Sequence, residues 1–365
     1  MTDQTVLILG ASGVVGHAAL EHFLGLPGWR VVSASRRTPH GALAQRAQHL
    51  SIDLMRPDEC AHAIESIGGI THVVYAALYE KPGLVRGWRE SDQMQTNLAM
   101  LRNLLGPVIR TSPGLRHVSL LQGTKAYGVH LHPVDVPARE DRARDAHENF
   151  YWLQEDFLRE QAVRAGFGFT IWRPQLVFGD ALGVAMNLVP IIGAYAAIRQ
   201  AQGLPFSFPG GPSNILEATD SRLIARAMAW AAQAPAACNQ IFNITNGDVF
   251  VWRSVWAQLA DALGVPVGPD EPIALANYLP AHAPVWDEIV RRFGLKAPPL
   301  TAILGESHHY ADFCFGTHAR QQPPSVLVST IKLRQAGFAD CIDTERMFRD
   351  WIGILQQDRI LPPRA

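Results

Sequence analysis

The chain has 365 residues, of which 48% are hydrophobic and 18% are charged, and its formal net charge is −1. This length and composition support one large domain or two joined domains with a sizeable core, and they exclude a disordered chain. Because no block of like charge is present, neither a nucleic acid nor a membrane surface is expected as a partner. A reduced, cytoplasmic location and no metal are expected because the cysteines are widely separated, at Cys60, Cys238, Cys314 and Cys341.

The first motif is an apolar run, residues 6–9, followed by Gly10, Gly13 and Gly16 and then by apolar residues at helical spacing from Ala18 onward. This order predicts a strand, a tight turn and a helix, which is the usual context of a dinucleotide-binding turn. Glycine permits a positive φ and a close backbone approach, and the helix N-terminus suits a pyrophosphate. The spacing G-x-x-G-x-x-G differs from the standard G-x-G-x-x-G. The alternative is a glycine-rich turn that holds no ligand.

A second strand, predicted over residues 31–35, ends at Arg36 and Arg37. Sites that select NAD place Asp or Glu near this position to hold the ribose hydroxyls. Arginine is instead a bidentate partner for phosphate, so the pair predicts NADP(H) as the cofactor. The alternative is that both arginines are solvated on a loop.

Further strands are predicted at 49–54, 71–77, 117–121, 169–172 and 240–245, with helices near 58–67 and 97–105 and a short helix within 38–48. This alternation predicts an α/β fold with a Rossmann-type doubly wound parallel sheet of about seven strands, and with the ligand at the strands' carboxyl ends. The residues expected to bind the cofactor are Gly10, Ser12, Gly13, Val14, Val15, Gly16, Ser35, Arg36, Arg37, Asp53, Leu54, Tyr75, Ala76, Ala77, Gln122, Arg173, Pro174, Leu176 and Val177.

The domain organisation predicted from these elements is an NADP-binding domain at 1–180, to which a strand at 238–247 returns. Residues 181–237 and 248–365, where the alternation becomes irregular, are assigned to a smaller, mainly helical substrate-binding lobe and C-terminal elements. The apolar stretch 182–198 is too short and too interrupted to span a membrane, so a core helix or a pocket wall is expected. Candidates for either role are Leu188, Ile191, Ile192, Tyr195 and Trp286.

The chemistry of a nicotinamide enzyme requires a proton donor or an oxyanion stabiliser beside the hydride acceptor. Short-chain dehydrogenases usually supply Tyr and Lys from one Y-x-x-x-K helix, but here Glu155 stands four residues after Tyr151. A lysine is present instead in the segment that follows the fifth strand, at Lys125. No G-x-S-x-G motif is present, which disfavours a hydrolase.

Two segments carry a resemblance to a known family: G-T-K-A-Y-G at 123–128 and N-F-Y-W-L-Q-E-D at 149–156. Together with the glycine turn, the arginine pair and Arg173-Pro174, they resemble the progesterone 5β-reductase/iridoid synthase-like reductases, an atypical branch of the extended short-chain dehydrogenases. The resemblance implies that Lys125 and Tyr151 are catalytic. The family motif has two adjacent tyrosines, and Trp152 replaces the second one here.

The reaction implied by this resemblance is NADPH-dependent 1,4-reduction of an enone or enal. Hydride would reach the β-carbon, and the Tyr151 hydroxyl would stabilise the enolate, assisted by the charge of Lys125. The substrate would be a small hydrophobic enone or carbonyl compound, and a homodimer is a further expectation. Two other functions stay open: a carbonyl reductase or alcohol dehydrogenase, and a non-catalytic NADP-binding sensor. The retention of both Lys125 and Tyr151 argues against the sensor. The alternatives for the residues themselves are that Tyr151 is a packed aromatic residue at a helix start and that Lys125 is a solvated loop lysine.

Overall fold

A computed structural model describes residues 4–41 and 43–364 of the chain, without the side chain of Ala44. Its nine strands are β1 (Gln4–Leu9), β2 (Trp29–Ser35), β3 (Gln48–Ser51), β4 (His72–Tyr75), β5 (His117–Leu121), β6 (Gly168–Pro174), β7 (Leu176–Phe178), β8 (Ala218–Asp220) and β9 (Gln240–Ile244).

Fourteen α-helices are described in the same residues. They are α1 (Val14–Leu24), α2 (Leu43–Arg46), α3 (Pro57–Ile67), α4 (Ser91–Thr111), α5 (Phe150–Ala165), α6 (Leu188–Ala201), α7 (Ser221–Ala231), α8 (Trp252–Leu263), α9 (Leu275–Ala281), α10 (Ala283–Phe293), α11 (Leu300–Leu304), α12 (Ser307–Cys314), α13 (Ile331–Gln335) and α14 (Thr344–Gln357). Three 3-10 helices, at Leu84–Arg89, Thr124–Tyr127 and Pro235–Ala237, complete the set.

Seven of the strands form one parallel sheet in the order β3-β2-β1-β4-β5-β6-β9, and β7 and β8 form a second, two-stranded parallel sheet. The strand order reverses direction between β1 and β4, where Leu9 pairs with Tyr75. Ligands of such sheets bind in the crevice outside the carboxyl ends of the strands at this reversal. The predicted Rossmann-type fold is therefore confirmed, including the short helix between β2 and β3.

Helices cover both faces of the large sheet, which explains why its strands are nearly continuous apolar runs. One face packs against α3, α4 and α5, and the core there includes Leu7 and Val73. The other face packs against α1 and α7, with Val6 and Ile8 in the core. Alternate residues of β1 thus belong to opposite cores, as the two-residue period of a strand requires.

The helical lobe is built around α6, whose residues from Leu188 to Arg199 are all buried. The five apolar candidates for core or pocket wall belong to the core of this lobe, and none of them borders the large cavity described below. Those side chains therefore stabilise the lobe. In the described part of the chain, no helix combines the length and the apolar composition needed to cross a membrane.

Two elements of the region assigned to the lobe pack elsewhere. Helix α7 contacts α1 and buries Leu223 and Ile224 against the sheet face that α1 leaves open. Helix α13 contacts β9, with Leu333 in the same core. The remaining boundaries of the two-part organisation stay a prediction.

Candidate active site

A cavity of about 1200 Å³ lies at the carboxyl ends of the sheet strands, between the sheet and the helical lobe. The glycine turn, the segment after β2 and the segments after β4 and β5 form one side of it. Residues of the lobe, among them Met186, Tyr310 and Phe313, form the other. The cavity therefore lies where an open parallel sheet holds its ligand.

The glycine turn after β1 is closed too tightly for side chains. Gly10 has φ +76°, and a Cβ atom there would lie 2.7 Å from the Ala76 carbonyl oxygen. A Cβ atom on Gly16 would lie 2.1 Å from the carbonyl oxygen of Gly10, so this glycine lets α1 pack directly on the turn. Gly13 is the N-cap of α1 and offers no side-chain cap, which leaves the first amide groups of the helix free for a ligand. These features fit the pyrophosphate of a dinucleotide.

The arginine pair borders the same cavity beyond β2. The Ser35 hydroxyl donates to the carbonyl oxygen of Arg37 at 2.6 Å, and the Ser51 hydroxyl donates to that of Arg36 at 3.2 Å. These bonds hold the loop backbone, and both arginines line the cavity. Asp53 borders the cavity as well, and its carboxylate accepts a hydrogen bond from the Met55 amide at 3.0 Å.

Most residues expected to bind the cofactor line this cavity. They are Gly10, Ser12, Gly13, Val14, Val15, Ser35, Arg36, Arg37, Asp53, Leu54, Ala76, Ala77, Gln122, Pro174, Leu176 and Val177. Gly16, Tyr75 and Arg173 do not line it. Gly16 packs against the backbone of the turn, and Tyr75 is 1% exposed in the core beneath α3 and α4.

Arg173 lies behind the cavity wall rather than on it. Its guanidinium donates to the Gln122 side chain at 3.2 Å and to Glu155 at 3.5 Å. Glu155 is itself only 2% exposed and pairs also with Arg144 and Arg159. These bonds let Arg173 support the wall from behind, and its contact with the cofactor stays a prediction.

Lys125 lies at the cavity, on the 3-10 turn that follows β5, and its side chain is only 13% exposed. Its ammonium lies 3.3 Å from the Glu80 carboxylate and 4.2 Å from the centre of the Trp88 ring. Burial lowers the pKa of Lys125, whereas the neighbouring Glu80 raises it. The alternative of a solvated loop lysine is thereby excluded.

Tyr151 is the second residue of α5 and is buried, yet its hydroxyl reaches the cavity wall above Gly123. Burial raises the pKa of Tyr151 well above its ordinary value, the charge of Glu80 raises it further, and Arg173 opposes both. The phenol is therefore protonated at neutral pH and can donate a hydrogen bond. Trp152, the departure from the family motif, does not line the cavity and packs between Arg144 and Arg173.

The two motif segments are joined by Asn149, the N-cap of α5. Its side-chain oxygen accepts a hydrogen bond from the Tyr151 amide at 3.0 Å, which satisfies the helix start. Its side-chain nitrogen donates to the Lys125 carbonyl oxygen at 3.0 Å. Gln122 adds a bond of 3.1 Å to the Tyr151 carbonyl oxygen. The side-chain amide of Asn149 thus holds the backbones of both Lys125 and Tyr151.

Glu80 and Tyr310 are cavity residues that the sequence did not single out. Glu80 follows β4, whose carboxyl end was expected at the ligand, and a lysine buried beside Tyr151 requires a counterion. Those two signals together point to Glu80. Tyr310 lies on α12 of the lobe, where no sequence pattern connects it to the sheet.

One cluster of possible metal ligands occurs among the described residues, formed by His17, His40 and Asp180. The two imidazole planes are parallel within 2° and their centres are 4.1 Å apart. Lone pairs that lie in parallel planes do not converge on one ion, and the cluster does not border the cavity.

The model of the NAD dependent epimerase/dehydratase family matches residues 6–245. The chain is 32% identical to (S)-8-oxocitronellyl enol synthase of Antirrhinum majus, over 99% of this chain and 94% of that protein. It is 29% identical to 3-oxo-Delta(4,5)-steroid 5-beta-reductase of Arabidopsis thaliana, over 99% and 94% of the two chains.

Among solved structures, UDP-glucose 4-epimerase of Thermotoga maritima matches with a TM-score of 0.68 and 14% identity, over 97% of this chain and 99% of that chain. This likeness shows a shared fold. The full-length sequence relatives confirm the resemblance drawn from the two motif segments. The chain belongs to the NAD dependent epimerase/dehydratase family and, within it, to the progesterone 5β-reductase/iridoid synthase-like reductases.

Proposed function

We propose that this protein uses NADPH to reduce the C=C bond of an α,β-unsaturated carbonyl compound. The observation that carries the proposal is the Tyr151 hydroxyl at the cavity wall, with the mostly buried Lys125 on the same wall. The relatives' names agree with this reaction, since one of them is a reductase of a 3-oxo-Delta(4,5)-steroid.

The cofactor would be held by groups that follow the first, second and fourth strands and line the cavity. The free amides at the start of α1 suit the pyrophosphate, and Arg36 and Arg37 suit a 2′-phosphate. Small residues after β4, Ala76 and Ala77, allow the dinucleotide to lie close to the backbone. When bound, the nicotinamide supplies the hydride.

The substrate carbonyl would accept a hydrogen bond from the Tyr151 hydroxyl. Negative charge builds on this oxygen as the β-carbon receives hydride, so a donor fixed beforehand at that point favours the transition state. The Tyr151 hydroxyl needs no large movement, because α5 and Asn149 already hold its backbone. Lys125 lies on the same wall, where its ammonium pairs with Glu80.

The substrate class follows from the lobe side of the cavity. Met186 and Phe313 supply apolar surface there, Tyr310 adds an aromatic face, and Val85 and Trp88 of the 3-10 helix Leu84–Arg89 extend the apolar lining. A pocket of this composition suits a small hydrophobic carbonyl compound with few polar groups. The homodimer and the cytoplasmic location expected from the sequence stay predictions.

The second candidate function is reduction of the carbonyl group itself, because the same hydroxyl can serve a ketone oxygen. A sensor without catalysis is disfavoured because Lys125 and Tyr151 both line the cavity.

The test incubates the purified protein with NADPH and a panel of enones, enals and saturated ketones, and identifies products by mass spectrometry. Saturated carbonyl products support the proposal. Alcohols formed from saturated ketones alone would contradict it, and NADPH binding without any product would favour the sensor.

A further inference from the structure

Glu80 is held in one orientation by groups from two different elements. Its Oε2 accepts a hydrogen bond of 2.7 Å from the side chain of Gln93 on α4. Its Oε1 faces the Lys125 ammonium at 3.3 Å. Gln93 is 1% exposed and its own oxygen accepts from the Lys81 amide at 3.0 Å, so this amide cannot turn freely. The carboxylate is therefore a fixed, buried negative charge.

Lys125 depends on this carboxylate for its position. Among the described residues, Glu80 supplies the acceptor for the ammonium, and the other close neighbours are the faces of Trp88 and Phe150. Ring faces attract a cation but do not set the direction of its N–H groups. Without Glu80 the ammonium would be a buried charge with no counterion, which is strongly unfavourable.

The same carboxylate acts on Tyr151. Its charge raises the pKa of both Lys125 and Tyr151. The other charged and titratable groups around the pair are Arg173, which lowers the pKa of Tyr151, and Tyr310 and His130, whose own pKa values respond to Tyr151 and to Lys125. Glu80 is the acidic group among them, so it alone cancels the positive charge of the lysine.

We propose that Glu80 is a positioning residue for this site: it holds the Lys125 ammonium against Trp88 as its counterion, and it keeps the wall beside Tyr151 suited to a neutral hydrogen-bond donor. This inference rests on the proposed function.

The test compares Glu80→Gln, Glu80→Asp and the wild type in kcat, KM and pH profile. A matched control is Glu90→Gln, which removes a carboxylate from an exposed pair with Lys81 outside the cavity. Removing Glu80 lowers the pKa of Lys125 and of Tyr151 together. The alkaline limb of the pH profile, where kcat falls as pH rises, should therefore move to lower pH by about one unit. We expect kcat to fall roughly tenfold to a hundredfold, with the dissociation constant of NADPH unchanged.

Glu80→Asp keeps the carboxylate but moves it away from Lys125 by one methylene group. We therefore expect a higher kcat than in Glu80→Gln and a smaller shift of the alkaline limb in the same direction. If Glu80→Gln does not fold, Glu80→Asp carries the test by itself. An alkaline limb at the wild-type position in the folded variants overturns the inference, as does an equal shift in Glu90→Gln.

The two proposals fail in different ways. The pH profile is measured with whichever carbonyl compound the wild type reduces. If that compound is only a saturated ketone, the proposed function is wrong, while the shift of the limb still reports on Glu80. If enones are reduced and the limb does not move, only the role of Glu80 is wrong.

Discussion

The Tyr151 hydroxyl lies 3.2 Å from the point where a Cβ atom on Gly123 would stand. Gly123 has φ 176°, an extended conformation that any residue adopts, so its glycine is explained by this close approach and not by backbone strain. The glycine gives the Tyr151 hydroxyl room at the cavity wall.

Gly123→Ala should therefore keep the fold and lose activity. The added methyl group displaces the hydroxyl by a few tenths of an ångström, and we expect kcat to fall roughly tenfold. Steady-state kinetics and thermal melting measure the two effects. The matched control is Gly114→Ala, where a Cβ atom would meet no atom within 4 Å. Equal kinetics for both variants would contradict the assignment.

Tyr151→Phe should lose most turnover while NADPH still binds, because only the hydroxyl that faces the substrate oxygen is removed. The control is Tyr127→Phe on the 3-10 turn. The Tyr127 hydroxyl donates to Asn243 at 2.6 Å and does not border the cavity. Its loss should lower the free energy of unfolding by ~1 kcal/mol and leave kcat nearly unchanged. Full activity of Tyr151→Phe would remove this residue from catalysis.

The double variant Arg36→Ala, Arg37→Ala should weaken NADPH far more than NADH. Loss of a charge-assisted phosphate contact costs ~1.5–3 kcal/mol, so a selectivity change of roughly tenfold to a hundredfold is expected. Dissociation constants measured by nicotinamide fluorescence give this ratio. An equal loss of affinity for NADPH and NADH would show that the arginines do not bind the 2′-phosphate.

Glu217 makes the stability of the protein depend on pH. Burial raises the pKa of Glu217 to about 7, against hydrogen bonds from the Val328 amide and the Thr245 hydroxyl that lower it. A carboxyl group whose folded pKa exceeds its unfolded pKa stabilises the fold below the unfolded value, and this stability is lost as pH rises through about 7.

The wild type should lose this stability as pH rises, whereas Glu217→Gln has no carboxyl group to ionise. The free energy of unfolding of Glu217→Gln minus that of the wild type should therefore increase by on the order of 2 kcal/mol from pH 5 to pH 8. Urea unfolding at both pH values measures the difference. A gap between variant and wild type that does not change with pH would contradict the ionisation of Glu217 in the folded protein.

The sequence by itself determined the features that depend on neighbouring residues. Apolar runs and turn residues that are close together in the chain predict the seven strands and the glycine turn. The arginine pair at the end of the second strand predicts the cofactor. The motif segments that carry Lys125 and Tyr151 are equally local, and they were sufficient to place the chain in its family.

Only the tertiary structure decided which of these residues meet. The pair formed by Glu80 and Lys125, and the approach of Tyr151 to Gly123, join segments that are distant in sequence. Arg173 lies behind the cavity wall because a buried arginine needs an acidic partner, here Glu155. Helix α7 packs against α1 because its apolar face must be buried against another apolar surface. Local patterns set what each segment can form, whereas burial and charge pairing between distant segments set which side chains reach the cavity.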